Sequence, residues 1–360
     1  MIAPLAHIAA MAPYALASLS APKGKPLISL SQNESLRPPS PLALQAASRA
    51  MASANRYPDP DWADLRRALS DLHNVPAGQI LCGNGSLDLI ACLTRSFCDG
   101  QNAVLAPAHA YPFFRSAAAM VGARFDTAEE AKTTVSVDTL LSAIRPDTRI
   151  VFLANPGNPT STRIPKSELL GLRDAMPDAI LLVIDEAYGE FADHLHEPSF
   201  DMVQRGNTVV LRTLSKAYGL AGMRVGWGLF PPDITAQLRK VMNPNNISLA
   251  AQAAASAAVA DQPYMRETCQ ITATLRDSFI TRLRAAGFDI PDSHTNFALI
   301  RLASAAQAQS ADKALQAEGI LLRPQSGAGL PHCLRATVGS QAELNKTAQI
   351  LEHWQQGVPK

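Results

Sequence analysis

Short apolar runs alternate with helical patterns between about residue 60 and residue 230. Apolar residues three or four positions apart predict helices at residues 62–73 and 86–98. The short apolar runs suit buried strands, and they lie at residues 103–106, 150–154, 180–184 and 209–211. Helices and strands that alternate at this spacing predict an α/β fold, with a mostly parallel sheet covered by helices on both faces.

The pattern changes after Asn246. An alanine-rich segment leads into a long helical pattern, and from Gly287 onward short strand patterns (NFALIR, ILLRP and CLRATVG) alternate with helices. This change indicates a second, smaller α+β domain that also takes in the N-terminal segment. We predict a large domain over residues 41–246 and a small domain formed by residues 1–40 and 247–360.

The composition is that of an ordinary globular protein of enzyme size. Hydrophobic residues make up 47% of the chain, charged residues 18%, and the net charge is +1, so nothing points to nucleic acid or to a membrane surface as a partner. No apolar stretch reaches the roughly 18 to 20 residues of a membrane helix. The alanine-rich N-terminus has no Lys or Arg before Lys23, which argues against a secretion signal. Five scattered cysteines without a CxxC pair predict reduced thiols and a cytoplasmic location.

The sequence RTLSKAYGLAGMRVG, residues 212–226, places a lysine at the end of a predicted strand. Lys216 standing alone would be a solvated surface residue as readily as a functional one. Its neighbours Thr213, Ser215 and Arg224 are donors that suit the oxygens of a phosphate. An amine beside a phosphate site suggests pyridoxal phosphate bound to Lys216 as a Schiff base.

Three further motifs lie where predicted parallel strands end, which is where open α/β sheets bind ligands. The sequence GNGS at residues 83–86 is either a tight turn or a helix start whose amides bind a phosphate. In ANPGNPTST, Asn158 either belongs to a turn or donates from its amide to a phenolate oxygen. In LLVIDEAYGEF, a buried Asp185 needs a partner, and a protonated pyridine nitrogen is one. Tyr188 follows at a distance that lets its hydroxyl approach the ring oxygen.

With these four motifs in this order, the sequence resembles the class I/II aminotransferases of fold type I, and among them the histidinol-phosphate aminotransferase family. The resemblance extends over nearly the whole chain and includes SQNESLRPPSP from Ser31, RYPDP from Arg56 and HTNF from His294. Ser161 departs from it, because a glycine is usual there. The resemblance implies a pyridoxal-phosphate enzyme that forms a homodimer.

The resemblance also implies roles for individual residues. Lys216 would be the Schiff-base lysine and the proton shuttle, and Asp185 the partner of the pyridine nitrogen. Asn158 and Tyr188 would bind the ring oxygen, and Tyr111 would stack on the ring. The residues that it places at the cofactor phosphate are Ser86, the amide of Leu87, Thr213, Ser215, Arg224 and Tyr57 of a second subunit.

Substrate binding is expected at two arginines. Arg335 matches the family arginine that meets the acidic end of the substrate, and Arg323 matches a second basic position near it. Together they could grip a phosphate, or one could bind the carboxylate of an ordinary amino acid, while a solvated salt bridge is the alternative for each. Tyr14 and Asn33 complete the predicted substrate-binding residues.

The expected reaction is amino transfer between L-histidinol phosphate and 2-oxoglutarate. Two alternatives share the same cofactor site: an aminotransferase for aromatic amino acids, and a decarboxylase of an amino-acid phosphate such as threonine phosphate. We predict no metal site, because His194 and His196 have no evident third ligand in the sequence.

Overall fold

The computed structural model describes residues 2–13, 20, 22, 24–195 and 197–357. Tyr14, His196 and the last three residues lie outside the described residues. The strands, in chain order, are β1 (Ile28–Ser29), β2 (Ile80–Gly83), β3 (Ala103–Pro107), β4 (Arg124–Ala128), β5 (Thr148–Ala154), β6 (Leu181–Asp185), β7 (Thr208–Thr213), β8 (Gly226–Leu229), β9 (Phe297–Arg301), β10 (Ile320–Leu321), β11 (Arg323–Gln325) and β12 (Leu330–Thr337).

The α-helices, in chain order, are α1 (Ala6–Ala9), α2 (Pro41–Met51), α3 (Ala63–His73), α4 (Ser86–Phe97), α5 (Pro112–Met120), α6 (Val137–Ala143), α7 (Lys166–Ala175), α8 (Gly189–Ala192), α9 (Pro232–Val241), α10 (Leu249–Ala260), α11 (Gln262–Ala285), α12 (Ala305–Ala317) and α13 (Gln341–Gln356). The two helices predicted at residues 62–73 and 86–98 are α3 and α4, each within one residue of the predicted bounds. Short 3₁₀ turns connect several of the helices.

A seven-stranded sheet forms the centre of the large domain. Its strand order is β2-β8-β7-β6-β5-β3-β4, and among these strands β8 alone runs antiparallel to its neighbours. Every residue of β3, β6 and β7 is buried, as expected for strands covered by helices on both faces. The predicted fold class is therefore confirmed, and the carboxyl ends of β5, β6 and β7 meet at one edge of the sheet.

The small domain is built around the three-stranded antiparallel sheet β11-β12-β9, with β1 and β10 forming a separate parallel pair. Its core is a second cluster of buried residues from β9, β12, α12, α13 and the C-terminal half of α11. α11 has 24 residues, yet within the described ranges no helix is long and apolar enough to cross a membrane.

The packing of α10 bears on where the two domains meet. Its small buried side chains, among them Ala251 and Ala255, lie close against α2 and belong to the core of the large domain. Met265 of α11 belongs to that core as well, whereas Phe279 of the same helix belongs to the core of the small domain. We therefore propose a boundary within α11, later than the predicted change at residue 246.

Candidate active site

A cavity of about 510 Å³ opens at the carboxyl edge of the large sheet. Ala154, Asp185 and Thr213, the last residues of β5, β6 and β7, line its floor. The segment 31–34 and the arginines of β11 and β12 close it from the small domain. The position agrees with the general rule that open α/β sheets bind ligands beyond the carboxyl ends of their strands.

Lys216 lies in this cavity, half-buried, and its amine is held by main-chain carbonyls. Nζ donates to the carbonyl oxygen of Asn33 over 3.0 Å and more weakly to that of Gln32 over 3.4 Å. Burial lowers the pKa of Lys216 to about 7, and the positive charges of Arg335 and Arg224 act in the same direction. The amine is therefore partly neutral at neutral pH, and a neutral amine is the form that can act as nucleophile or base.

Asp185 ends β6 and is almost completely buried at the bottom of the cavity. Burial raises its pKa to about 7, and the charge of the neighbouring Glu186 raises it further, while the Ala187 amide donates to Oδ1 over 3.0 Å and opposes the shift. A cationic group placed against this carboxylate would favour its ionised form. The predicted partner, a protonated ring nitrogen, is such a group.

Tyr188 is held in place by Asn33, a residue predicted to bind the substrate. The side-chain amide of Asn33 donates to the Tyr188 hydroxyl over 2.7 Å, and its carbonyl oxygen accepts from the Thr337 hydroxyl over 3.2 Å. The side-chain amide of Asn296, from the HTNF motif, donates to the main-chain carbonyls of residues 33 and 34 over 3.2 and 3.1 Å. We therefore interpret Asn33 as a residue that orients Tyr188.

Hydroxyl and guanidinium groups gather at one end of the cavity. The Thr213 hydroxyl donates to Ser215 Oγ over 3.0 Å, and Arg224 Nη1 donates to Ser215 Oγ over 3.4 Å. Gly85, with a φ of 82°, leaves room for the guanidinium, because a Cβ at this position would lie 2.5 Å from Arg224 Nη2. The arrangement brings three predicted phosphate residues together.

The first turn of α4 faces the same end of the cavity. Ser86 and Leu87 begin this helix and line the cavity, and unpaired amides at a helix start attract anions. Gly226 of β8 allows the close approach, because a Cβ there would lie 2.1 Å from the Ser86 nitrogen. The helix start, the hydroxyls of Thr213 and Ser215, and Arg224 can thus bind one anion together.

The two predicted substrate arginines lie side by side on adjacent strands of the small sheet. Arg323 of β11 and Arg335 of β12 are direct cross-strand partners, and both line the cavity. Arg335 Nη1 donates to Asn158 Oδ1 over 2.6 Å, and its Nη2 donates to the Ser31 carbonyl over 2.8 Å. The bond to Oδ1 fixes the amide of Asn158, so that its nitrogen is left for a ligand in the cavity.

Besides Tyr188, the other three predicted tyrosines fall in different places. Tyr111 lines the cavity, and its ring packs edge-on against Phe114 with centroids 5.7 Å apart. Tyr57 does not line the cavity of its own chain and is 86% exposed. Tyr14 lies outside the described residues.

Comparison with known proteins agrees with this geometry. The aminotransferase class I and II family matches residues 25–351. The chain belongs to the class I and II aminotransferases. Its sequence is 41% identical to the histidinol-phosphate aminotransferase of Jannaschia sp. (strain CCS1) over 325 residues, which are 90% of each chain. It is 38% identical to that of Hyphomonas neptunium, over 98% of this chain and 96% of the relative.

Solved structures of aminotransferases share the fold. The histidinol-phosphate aminotransferase of Sinorhizobium meliloti, solved in complex with pyridoxal-5'-phosphate, superimposes with a TM-score of 0.87 at 30% identity, covering 92% of this chain and 91% of that one. A single mutant of the Thermus thermophilus aspartate aminotransferase has a TM-score of 0.84 at 19% identity, covering 98% and 100%. The predicted fold type I architecture is thereby confirmed.

Two further observations concern metal binding and the residues around this aminotransferase site that the sequence did not indicate. In the described ranges there is no group of three or more His, Cys, Asp or Glu side chains that could hold a metal ion. Sequence reasoning gave no role to Thr337, Asn296 or Ser31, which hold Asn33 and Arg335 in place. The signal for Asn296 was present in the HTNF motif, whereas the contacts of Thr337 depend on the fold.

Proposed function

We propose that this chain is a pyridoxal-phosphate-dependent aminotransferase that transfers the amino group between L-histidinol phosphate and 2-oxoglutarate. We further propose that it works as a homodimer in the cytoplasm. The observation that carries the proposal is the cavity that joins Lys216, Asp185 and the Arg323–Arg335 pair. The family supports amino transfer, and the histidinol-phosphate aminotransferases among its relatives support this amino donor.

The residues of the cavity fit pyridoxal phosphate. Gly85 and Gly226 permit the close approach of Arg224 and of the first turn of α4, and with Ser86 and Ser215 these groups suit a phosphate. The buried carboxyl of Asp185 suits a protonated pyridine nitrogen. When bound, pyridoxal phosphate supplies an aldehyde that takes up the amino group and a protonated ring that accepts electrons.

Lys216 is the residue that we assign to covalent binding and proton transfer. Its lowered pKa, about 7, keeps part of the amine neutral at neutral pH, so that Nζ can act as nucleophile and then as base. The carbonyl of Asn33 fixes the position of Nζ. Nζ would take the proton from Cα of the amino donor and deliver it to C4′ of the cofactor, the carbon that receives the amino group.

Three other side chains would hold the ring in one orientation. Asp185 would keep the ring nitrogen protonated, while the Tyr188 hydroxyl and the Asn158 amide would bind the ring oxygen. Each has a partner within the protein, because Ala187 bonds Asp185, Asn33 bonds Tyr188 and Arg335 bonds Asn158. Such preorganisation means that little has to move when charge develops in the reaction.

The arginine pair supports a donor with a strongly anionic end. Arg323 and Arg335 stand opposite each other in the register of β11 and β12, so two guanidinium groups can approach one phosphate. Phenylalanine, whose single carboxylate needs only one arginine, would leave the second without a role. Threonine phosphate would satisfy the pair as well, so the reaction itself has to be measured.

Exposure of Tyr57 supports the homodimer. An aromatic side chain that is 86% exposed, six positions after the exposed Met51 of α2, suits a surface that a second copy of the chain covers. In that arrangement Tyr57 would reach the phosphate end of the partner's cavity. The protein in solution should have twice the mass of one chain, and a monomer with full activity would contradict this part of the proposal.

All five cysteines lie in the described part of the chain, and each is a free thiol. Four of them are buried, and burial raises the pKa of the Cys92 thiol to about 11, which keeps it protonated. Reduced, unreactive thiols support the proposed cytoplasmic location.

Steady-state turnover tests the proposed reaction. Purified protein loaded with pyridoxal phosphate is supplied with 2-oxoglutarate and, in separate assays, with L-histidinol phosphate, phenylalanine or threonine phosphate. We expect glutamate to form fastest with L-histidinol phosphate. Faster turnover of phenylalanine would favour the aromatic aminotransferase, and carbon dioxide from threonine phosphate without a keto acid would favour the decarboxylase.

A further inference from the structure

A fully buried arginine stands behind the candidate active site, on the opposite face of the sheet. Arg212 lies on β7 directly before Thr213, and side chains of a strand alternate between its two faces. Thr213 faces the cavity, whereas Arg212 points away from it and is 1% exposed. The reaction as described above gives Arg212 no role.

The guanidinium of Arg212 contacts four residues of the segment 186–193, which includes the short helix α8 and is called the turn 186–193 below. Its Nε and Nη2 donate to Glu186 Oε2 over 3.0 and 2.8 Å, and its two terminal nitrogens donate to the Asp193 carboxylate over 3.0 and 2.9 Å. Nη1 also lies 3.4 Å from Glu190 Oε1. At Gly189 the contact is so close that a Cβ would lie 2.5 Å from Cζ of the arginine.

The same turn presents its other side to the cavity. Asp185 immediately precedes it, Tyr188 belongs to it, and both line the cavity. The Glu186 amide donates to the Leu211 carbonyl over 2.8 Å, which continues the pairing of β6 with β7 up to Arg212. One guanidinium thus joins the strand that leads to Lys216 with the turn that follows Asp185 and carries Tyr188.

The charges of the cluster are not balanced. Three carboxylates surround one guanidinium, and Glu190 Oε2 is buried without a hydrogen-bond partner. Burial raises the pKa of Glu190 to about 7, Arg212 opposes the shift, and the charge of Asp193 adds to it. Glu190 is therefore protonated in part of the population at neutral pH, and its ionisation adds an uncompensated charge beside Arg212.

Other titratable groups face the cluster from neighbouring elements. Burial lowers the pKa of His73 on α3 to about 4. Burial also raises the pKa of Tyr218, which follows Lys216, and of Cys269 on α11. These three groups are therefore neutral near pH 7 and add no charge to the cluster.

We propose that Arg212 is a positioning residue for the reaction: its guanidinium fixes the turn 186–193 and thereby aims Asp185 and Tyr188 at the cofactor ring. The inference rests on the proposed function for the identity of the ring. It assigns the geometry of two active-site residues to a cluster that touches neither cofactor nor substrate. A rigid supporting contact of this kind is what keeps a site in its productive geometry.

Two substitutions disturb the guanidinium in different ways. R212K keeps the charge but cannot make the paired hydrogen bonds of the planar fork. G189A keeps every charged group and places a methyl group where the guanidinium lies, at a position whose φ any residue can adopt. If R212K does not fold, G189A provides a second test. Its added methyl group displaces the guanidinium, while every charged and hydrogen-bonding side chain of the cluster is kept.

Each variant has a matched control. R173K alters another buried arginine of the large domain, which donates to the main-chain carbonyls of Met176, Pro177 and Ile180. G171A adds a methyl group on the exposed side of α7, where no atom lies within 4 Å of it. The hydrogen bonds of Arg173 go to residues 176, 177, 180 and 207, which lie outside the turn 186–193.

Two measurements test whether Arg212 positions the turn. Hydrogen exchange of the cofactor-free protein should speed up at least about tenfold in the turn 186–193 for R212K and G189A, but not for the controls. In the loaded protein, the pH titration of the absorbance of the lysine-bound cofactor should shift by about one unit or more in these two variants. A purely structural role would lower the melting temperature of R212K and R173K alike and leave the titration of both unchanged.

The outcomes are separable from the proposed function. If the unaltered protein takes up no pyridoxal phosphate, the proposed function fails, and hydrogen exchange in the cofactor-free protein still decides whether Arg212 holds the turn. Wild-type exchange in the turn of G189A, or a wild-type absorbance titration in both R212K and G189A, would overturn the positioning role.

Discussion

Arg335 donates from Nη1 to Oδ1 of Asn158 over 2.6 Å, and this bond joins the small domain to the floor of the candidate active site. Arg335 lies on β12, and Asn158 follows β5 of the large sheet. The bond orients the Asn158 amide while the rest of the guanidinium stays at the substrate side of the cavity. One arginine therefore serves the proposed cofactor site and the proposed substrate site together.

Substituting this arginine should affect both sites. In R335K the charge remains, but a single ammonium nitrogen replaces the planar fork whose separate nitrogens bond Asn158 and Ser31. Hydrogen bonds to charged groups contribute about 1.5–3 kcal/mol, so we expect kcat/KM for the amino donor to fall about 10- to 150-fold. Steady-state kinetics measure the change, with R301K as control, because Arg301 on β9 is bound to Asp289 and does not line the cavity. Equal losses in both variants would contradict the assignment.

Removal of the lysine amine should abolish turnover but leave the cofactor site. In K216A we expect the rate to fall at least about 10⁴-fold, because nucleophile and base are lost together. Pyridoxal phosphate should still bind through the groups at its phosphate, without the visible absorbance of the lysine-bound form. Absorption spectra and equilibrium dialysis measure the two effects. An unchanged visible spectrum would place the covalent bond at another lysine.

The lowered pKa of Lys216 gives a pH dependence that can be measured without cofactor. Only the neutral amine reacts with acetic anhydride, so labelling of Lys216 should be slow below pH 7 and reach a plateau above it, with an inflection near 7. R335Q removes a nearby positive charge and should move the inflection to higher pH. Mass spectrometry of the peptide that contains Lys216 follows the labelling. An inflection near pH 10 in the unaltered protein would contradict the account of its environment.

Gly226 should be indispensable for the phosphate end of the cavity. A Cβ at this position meets the main chain of Gly85 and Ser86 at 2.4 and 2.1 Å, so G226A has to push β8 away from the first turn of α4. Overpacking of this kind costs about 1–3 kcal/mol, and we expect at least about tenfold weaker cofactor binding with a lower melting temperature. The control is G78A, where the added methyl group has no neighbour within 4 Å. Identical cofactor affinity in the two variants would argue against a phosphate at this place.

Much of the site could be predicted because its residues stand at strand ends in local motifs. Lys216, Asp185 and Ser86 each follow a short apolar run, and parallel strands bring their carboxyl ends to one edge whatever their distance in sequence. Ser161 illustrates the limit of the resemblance. It stands where a glycine is usual, and its φ of 64° keeps the left-handed backbone of that position.

Contacts between distant segments could not be predicted from local patterns. Asn33 donates to Tyr188, 155 positions further along the chain, and nothing near Asn33 in sequence indicates this partner. The pairing of Arg323 with Arg335 could not be predicted either, because it depends on the register of two antiparallel strands. The alanine-rich pattern of α10 indicated a change of domain, but small side chains equally suit a helix that packs closely against α2.

A single half-reaction tests the central claim most directly. Protein loaded with pyridoxal phosphate is mixed in a stopped-flow instrument with L-histidinol phosphate, phenylalanine or threonine phosphate, and the loss of the visible absorbance is followed without a keto acid. The account predicts rapid conversion to the pyridoxamine form with L-histidinol phosphate and much slower conversion with phenylalanine, whereas carbon dioxide released from threonine phosphate would indicate the decarboxylase. Absence of conversion with L-histidinol phosphate, or faster conversion with phenylalanine, would contradict the proposed role of Arg323 and Arg335.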